Sequence, residues 1–282
     1  MSASTNEALP GPGELIRLYG QRARKAFGQN FLSDVHILDR IVGLAELAPG
    51  DRVIEIGPGP GGLTTRLLAA GAQVRAVELD RDVVEHLERT FGAHERFSVV
   101  QGDALQAPLP EWVAEGWDTV VANLPYHVAT PILFRLLDAP SYPRRMALMF
   151  QMEVAERLVA AAGTREFSLL GLGAQIRYRT RLAMRLKPGA FTPPPKVRSG
   201  VVLFERRDTP LVDAATEAVV RQLGKAAFQQ RRKTLRNSLR SLTADPDALL
   251  SRVGLSATAR PESIAWQDWF DLATALTSER EQ

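Results

Sequence analysis

The chain has 282 residues, enough for one large domain and a smaller one, each with a core of its own. Its 45% hydrophobic and 24% charged residues are ordinary for a soluble globular protein, and no apolar run approaches the length of a membrane span. The absence of cysteine excludes disulfides, thiolate zinc sites and a cysteine nucleophile; Met1 to Gly20 lacks a secretory layout, so the expected location is the cytoplasm. Net charge is only +3, so the clustering of the basic residues carries more information than their total.

Met1 to Gly20 is small, polar and bears Gly and Pro, and reads as a partly ordered N-terminal arm. Arg22, Arg24 and Lys25 then precede Phe27-Gly28-Gln29-Asn30-Phe31-Leu32; alone, this segment reads as a solvated basic arm. Ser33 or Asp34 caps a helix that turns Ile37, Leu38, Ile41, Val42 and Ala45 inward. Arg52 to Ile56 reads as a buried strand, followed by the loop Gly57-Pro58-Gly59-Pro60-Gly61-Gly62 and an apolar helix. That succession opens a doubly wound α/β domain. A second strand, Gln73 to Leu79, carries Glu78 at its end, and a third, Phe97 to Val100, leads into Gly102-Asp103-Ala104. Asp118 to Asn123 is a fourth strand, Pro131 to Leu137 a helix, and Arg145 to Gln151 a fifth strand. A helix over Glu153 to Ala162 follows, and then the pattern loosens. Leu182 to Leu186 and Val201 to Phe204 read as strands around the stiff segment Phe191-Thr192-Pro193-Pro194-Pro195-Lys196-Val197. Arg177, Arg179, Arg181, Arg185, Lys187, Lys196 and Arg198 lie here with no acidic residue between them.

From about Thr209 helical periodicity takes over, which places a boundary near residue 208: an arm over 1–20, an α/β domain over 21–208 and a helical domain over 209–282. Lys225 to Arg240 carries six cations and no anion. Leu235 and Leu239 can pack while Arg232, Arg236 and Arg240 share another face. Without the intermixed Glu of a solvated face, such a helix suits nucleic acid, with Arg231, Arg232, Lys233 and Arg236 as expected RNA contacts, joined by Arg22, Arg24, Lys25 and Lys196.

The chemistry converges on Val121-Ala122-Asn123-Leu124-Pro125-Tyr126. Asn123 offers a side-chain oxygen, and the carbonyl of Pro125, or of its neighbour Leu124, a second acceptor; Tyr126 offers a ring on which a base can stack. Two acceptors aimed at one amino group turn its lone pair toward an electrophile, which suits methylation of an adenine nitrogen. The plain alternative for these residues alone is a strand end and a Pro turn. The glycine loop does not choose between nicotinamide, flavin and S-adenosylmethionine. Glu55, two residues before Gly57, would repel a pyrophosphate and tolerate the cationic methionine part of S-adenosylmethionine. Glu78 suits ribose hydroxyls, and Asp103 an adenine amine. Scattered histidines give no metal site.

The ordered set Gly28-Gln29-Asn30-Phe31-Leu32, Glu55-Ile56-Gly57-Pro58-Gly59, Glu78-Leu79-Asp80, Gly102-Asp103-Ala104, Asn123-Leu124-Pro125-Tyr126, Phe191 to Val197 and Gln230 to Asn237 resembles the ribosomal RNA adenine N6-dimethyltransferases, most closely their bacterial small-subunit branch. The resemblance spans Arg22 to the C-terminus. It implies a Rossmann-like methyltransferase domain with a small all-helical C-terminal domain. It implies dimethylation of two adjacent adenosines near the 3′ end of small-subunit rRNA, late in subunit assembly; the resemblance does not fix the oligomeric state, and a monomer is expected. Asn30, Leu32, Gly57, Glu78, Asp103 and Asn123 would line the S-adenosylmethionine site. Asn123, Pro125, Tyr126 and Phe191 would serve the chemistry, with Tyr126 and Phe191 on the two faces of the base. His127 and Arg198 depart from the family pattern, at positions where Asn and Asp are common. The rival readings are a large-subunit rRNA adenine methyltransferase of the antibiotic-resistance type, a non-catalytic RNA-binding assembly factor and, more distantly, a nicotinamide dehydrogenase.

Overall fold

A computed structural model describes residues 9–20, 30–139, 141–229 and 233–281. The strands are β1 (Phe31–Leu32), β2 (Arg52–Ile56), β3 (Gln73–Glu78), β4 (Phe97–Gln101), β5 (Thr119–Asn123), β6 (Arg145–Gln151), β7 (Tyr178–Leu186), β8 (Phe191–Thr192) and β9 (Ser199–Arg206). Seven of them form one sheet in the order β4-β3-β2-β5-β6-β9-β7, while β1 and β8 pair in a small antiparallel sheet. β4, β3, β2, β5 and β6 run parallel, and β9 pairs antiparallel with β6.

The near-continuous apolar runs seen in sequence are what a parallel sheet requires, because helices cover both of its faces. In β5, Thr119 to Ala122 are buried without alternation, and the same holds for β6 through Phe150. The chain winds from β2 outward through β3 to β4, then returns to the other side of β2 with β5. The strand order therefore reverses between β2 and β5, and the carboxyl ends of those two strands are where open α/β sheets bind ligands. This is the Rossmann-like arrangement expected of the α/β part.

Two compact units partition the chain. One comprises Met1–Met152 and Leu182–Glu205, the other Glu153–Arg181 and Arg206–Gln282. Each has its own apolar core, the first built around residues such as Leu67, Val74 and Leu87, the second around Trp269, Leu223 and Leu172. The single boundary expected near residue 208 needs correction: the chain enters the second unit once already, over Glu153–Arg181. The physical reason is the short apolar helix Leu169–Gln175, whose Leu172 and neighbouring Phe167 and Ile176 join the helical core. Its glycines conceal it in sequence.

The described part of the N-terminal arm is also not loose. Pro12–Tyr19 is a helix with Pro at its first turn and Gly20 closing it at φ 84°. Its Leu15, Ile16 and Tyr19 are buried in the first core, and the Thr65 hydroxyl donates to the Pro10 carbonyl at 3.0 Å. In the second unit, the run of cations over 225–240 is broken rather than one helix. Ala214–Phe228 ends within it, after Lys225, and Thr234 starts the short helix Leu235–Leu239. Leu235 and Leu239 are fully buried, as their spacing predicts. Arg177 does not stay among cations: the buried Glu217 lies 2.6 Å from it and 2.8 Å from Arg221.

Candidate active site

A cavity of about 260 Å³ opens at the carboxyl ends of β2 to β5, lined by the glycine loop, the segment after β5 and Asn30 to Leu32. Two of the glycines are there for conformation, and Gly59 for space as well. Gly57 sits at φ +65°, a region side chains avoid, and its α-carbon faces the Pro125 ring, which a β-carbon would meet at 3.5 Å. At Gly59, φ +53°, a β-carbon would come within 3.1 Å of the Phe31 ring. Three motifs far apart in sequence therefore meet at two glycines.

Asn123 is the last residue of β5, half-buried at the cavity wall. Its Nδ2 donates to the Asn30 carbonyl at 3.0 Å. A carbonyl can only accept, so this bond fixes which way the amide faces and leaves Oδ1 as the acceptor. Tyr126 lines the same cavity, and its hydroxyl is 2.6 Å from Ser199 Oγ at the start of β9. Burial raises the phenol above its ordinary value, so it stays neutral and the ring is pinned at its far end. The Pro125 carbonyl accepts from the Val128 N–H at 3.1 Å, closing the turn after β5.

Glu78 ends β3 with its carboxylate held on both oxygens: Oε1 accepts from Asp80 N–H at 2.9 Å and Oε2 from Gly59 N–H at 3.4 Å. Burial raises its pKa despite these bonds. Asp103 follows β4; its Oδ1 accepts from Leu105 N–H at 2.8 Å, leaving Oδ2 for a ligand. Glu55 does not reach the cavity, contrary to the expectation from its place in the motif. Strand alternation turns it into the layer beneath, where it is 1% exposed and accepts from the Thr64 hydroxyl at 2.7 Å. Burial pushes it up to about 8, so it is uncharged at neutral pH and repels nothing. The carboxylates that line the cavity are those of Glu78 and Asp103. No Lys or Arg lines the cavity among the described residues, so a pyrophosphate would meet no side-chain counter-charge there.

The structure brings Asn30, Leu32, Gly57, Glu78, Asp103, Asn123, Pro125 and Tyr126 to one cavity wall. Phe191 is not among its lining residues. It is 3% exposed, packed in the first core opposite Leu32 across the β1–β8 pair, and in this structure has no open face for a base. Lys196 and Lys233 are exposed, and Arg236 is exposed but lies 2.8 Å from Asp247. Arg22, Arg24, Lys25, Arg231 and Arg232 lie outside the described residues. Sequence reasoning missed Ser199 and Ile16. Nothing local marks a serine after Arg198 as the partner of a tyrosine 73 residues earlier. The Pro12 and Gly20 pair could have flagged the helix that brings Ile16 to the cavity.

The cavity suits the nucleoside and amino-acid parts of S-adenosylmethionine: buried acceptors for ribose and amine, apolar walls for a flat ring, and acidic rather than basic neighbours for a cationic tail. Doubly wound fold and cavity thus define the class, an S-adenosylmethionine-dependent methyltransferase. The chain belongs to the ribosomal RNA adenine dimethylase family, whose pattern matches residues 20–278. It is 43% identical to the ribosomal RNA small subunit methyltransferase A of Parasynechococcus marenigrum, over 91% of this chain and 88% of that one. With the protein of the same name from Phenylobacterium zucineum it shares 42% identity over 98% and 95% of the two chains. Among solved structures it resembles the 23S rRNA methyltransferase ErmE, with TM-score 0.68 and 26% identity over 88% of this chain and all of that one. It shares its fold with a dimethyladenosine transferase from Plasmodium falciparum, TM-score 0.73 at 23% identity over 88% and 98% of the two chains.

Proposed function

We propose that the chain transfers methyl groups to the N6 amines of adenosines in small-subunit ribosomal RNA, two per base, on two adjacent adenosines near the 3′ end and on a late assembly intermediate. The observation that supports this is the Asn123–Asn30 bond, which commits the amide nitrogen and leaves the side-chain oxygen as an acceptor on a residue that lines the cavity with the pinned Tyr126 ring. An adenine amine donates two hydrogen bonds. Asn123 Oδ1 takes one and a backbone carbonyl just beyond β5, that of Pro125 or its neighbour Leu124, takes the other. When bound, S-adenosylmethionine supplies an electrophilic methyl on a good leaving group.

The chain's own work is positioning. The target adenine leaves its stack, as a base must for chemistry on it, and Tyr126 receives one face, a contact worth roughly 1–3 kcal/mol. Drawing the amine toward two acceptors exposes the nitrogen lone pair, and orientation of this kind accounts for much of the rate gain. No strong base is required, because the nitrogen becomes acidic as it gains the methyl and its proton leaves to water. Phe191 serves by buttressing Leu32 in the cavity wall. Basic residues, Lys196 and Lys233 among them, hold RNA, and the enzyme acts as a cytoplasmic monomer.

A large-subunit substrate is the second reading, supported by the likeness to ErmE. The small-subunit assignment is preferred because relatives over 40% identical along nearly the whole chain carry the small-subunit name. The test is transfer of radiolabelled methyl to unmethylated small subunits and, in parallel, to large subunits, with mass spectrometry of the product. Dimethyladenosine in the 3′ region of the small-subunit rRNA alone is expected. Label confined to large subunits, or none on either, refutes the proposal.

A further inference from the structure

The basic stretch between β7 and β9 is not used by the chemistry above, yet the topology delivers it to the cavity's end of the sheet. β9 begins at Ser199, opposite Gln151 at the carboxyl end of β6, and β6 pairs with β5 such that Met149 lies beside Asn123. The 2.6 Å contact of Ser199 with Tyr126 fixes the same point independently. β7 is the neighbour of β9 at the sheet edge. The chain leaving β7 at Leu186 pairs β8 with β1, whose Phe31 and Leu32 line the cavity, and then enters β9. Residues 187–198 are thus tied to the cavity wall at both β8 and Ser199.

Three cations stand on this excursion, Lys187, Lys196 and Arg198, and Arg185 stands just before it near the end of β7; all four are exposed. None forms an ion pair with a described residue, and no acidic residue occurs from Leu182 to Phe204. Elsewhere in the first unit arginines do find carboxylates, as Arg145 does with Glu205 at 2.6 Å and Arg75 with Glu115 at 3.0 Å. Like charges left together without anions repel one another, and a polyanion relieves that repulsion. The cavity itself has no cation among the described residues, so a strand of nucleic acid presenting a base there must have its phosphates neutralised outside it.

We propose that Arg185, Lys187, Lys196 and Arg198 form a phosphate-gripping rim that holds the backbone of the nucleotides flanking the adenosine in the cavity. The inference rests on the reading of the cavity as an adenosine site and extends it to the strand that carries the base. Phosphate contacts of this kind set register without reading sequence. They keep the flanking strand in place while one base is out of its stack.

The test is binding of a single-stranded RNA containing the target adenosines, followed by fluorescence anisotropy from about 50 to 200 mM salt. Replacing all four by Ala should reduce the slope of log affinity against log salt by about 3, at ~0.7 for each phosphate that is no longer neutralised. Arg185→Lys with Arg198→Lys, which keeps both charges, should retain the wild-type slope. Calorimetric binding of S-adenosylmethionine should be the same in all three proteins, which also reports intact folding. An unchanged slope and affinity in the four-Ala protein overturns the rim. Wild-type methyl transfer is measured alongside. If wild type methylates adenosine while the slope never changes, the rim alone is wrong. If the slope falls but wild type methylates nothing, the rim stands and the activity is wrong.

Discussion

Replacing Asn123 by Ala separates positioning from folding. The substitution removes two things: the 3.0 Å bond to the Asn30 carbonyl and the acceptor Oδ1. Losing the bond costs about 1 kcal/mol of stability, rising toward 3 if the Asn30 carbonyl finds no water. Against a total stability of roughly 5–15 kcal/mol, the variant remains folded. Losing the acceptor costs more where it matters. Removing one preorganised hydrogen-bonding group from a reacting centre typically lowers turnover by about 10² to 10³. Single-turnover methyl transfer to unmethylated small subunits should fall by that factor, while S-adenosylmethionine affinity by calorimetry weakens by less than about tenfold. Asn123→Asp sharpens the test, because it keeps the shape but sets an oxygen against the Asn30 carbonyl oxygen where a donor stood. It should be impaired as well, although it retains acceptors. Turnover of the Ala variant within about threefold of wild type would refute the reasoning. So would a loss of cofactor affinity equal to the loss of rate, which would make Asn123 a cofactor ligand only.

Two further outcomes follow from the same geometry. Ser199→Ala leaves the Tyr126 hydroxyl without its 2.6 Å partner, and methyl transfer should drop by about threefold to tenfold with cofactor binding unchanged, the equivalent of roughly 1 kcal/mol. Tyr126→Phe should do the same, and the double variant no more than either single one; additive effects would show that the pair is not coupled. Glu55→Gln should stabilise the fold in a pH-dependent way. Burial raises Glu55 from 4.5 to about 8, so between those values the unfolded chain has lost a proton that the native state keeps. Wild-type stability therefore declines as pH rises through that window, while Gln, which still accepts from Thr64, has nothing to ionise. The variant's advantage should grow to a few kcal/mol, on the order of 1.4 per pH unit, and level off above pH 8. Parallel denaturation curves for the two proteins across that range would refute the assignment of a buried neutral carboxyl.

The sequence by itself determined the parallel sheet, since strand signals alternating with helical patterns over β2 to β6 read as βαβ units, with unalternating apolar runs in β2, β5 and β6. It also determined the composition of the cavity wall, because glycines, a strand-end acid and an amide-Leu-Pro-Tyr turn each have a local conformational or chemical signature. What it could not decide depends on partners distant along the chain. Glu55 reads as a site carboxylate, and only packing against Thr64 shows it to be beneath the site. Phe191 reads as an open ring, and only its pairing with Leu32 buries it. The second unit's claim on Glu153–Arg181 depends on which core captures a short glycine-bearing helix. Periodicity says that an element will bury one face; which face of which neighbour receives it is settled by three-dimensional packing alone.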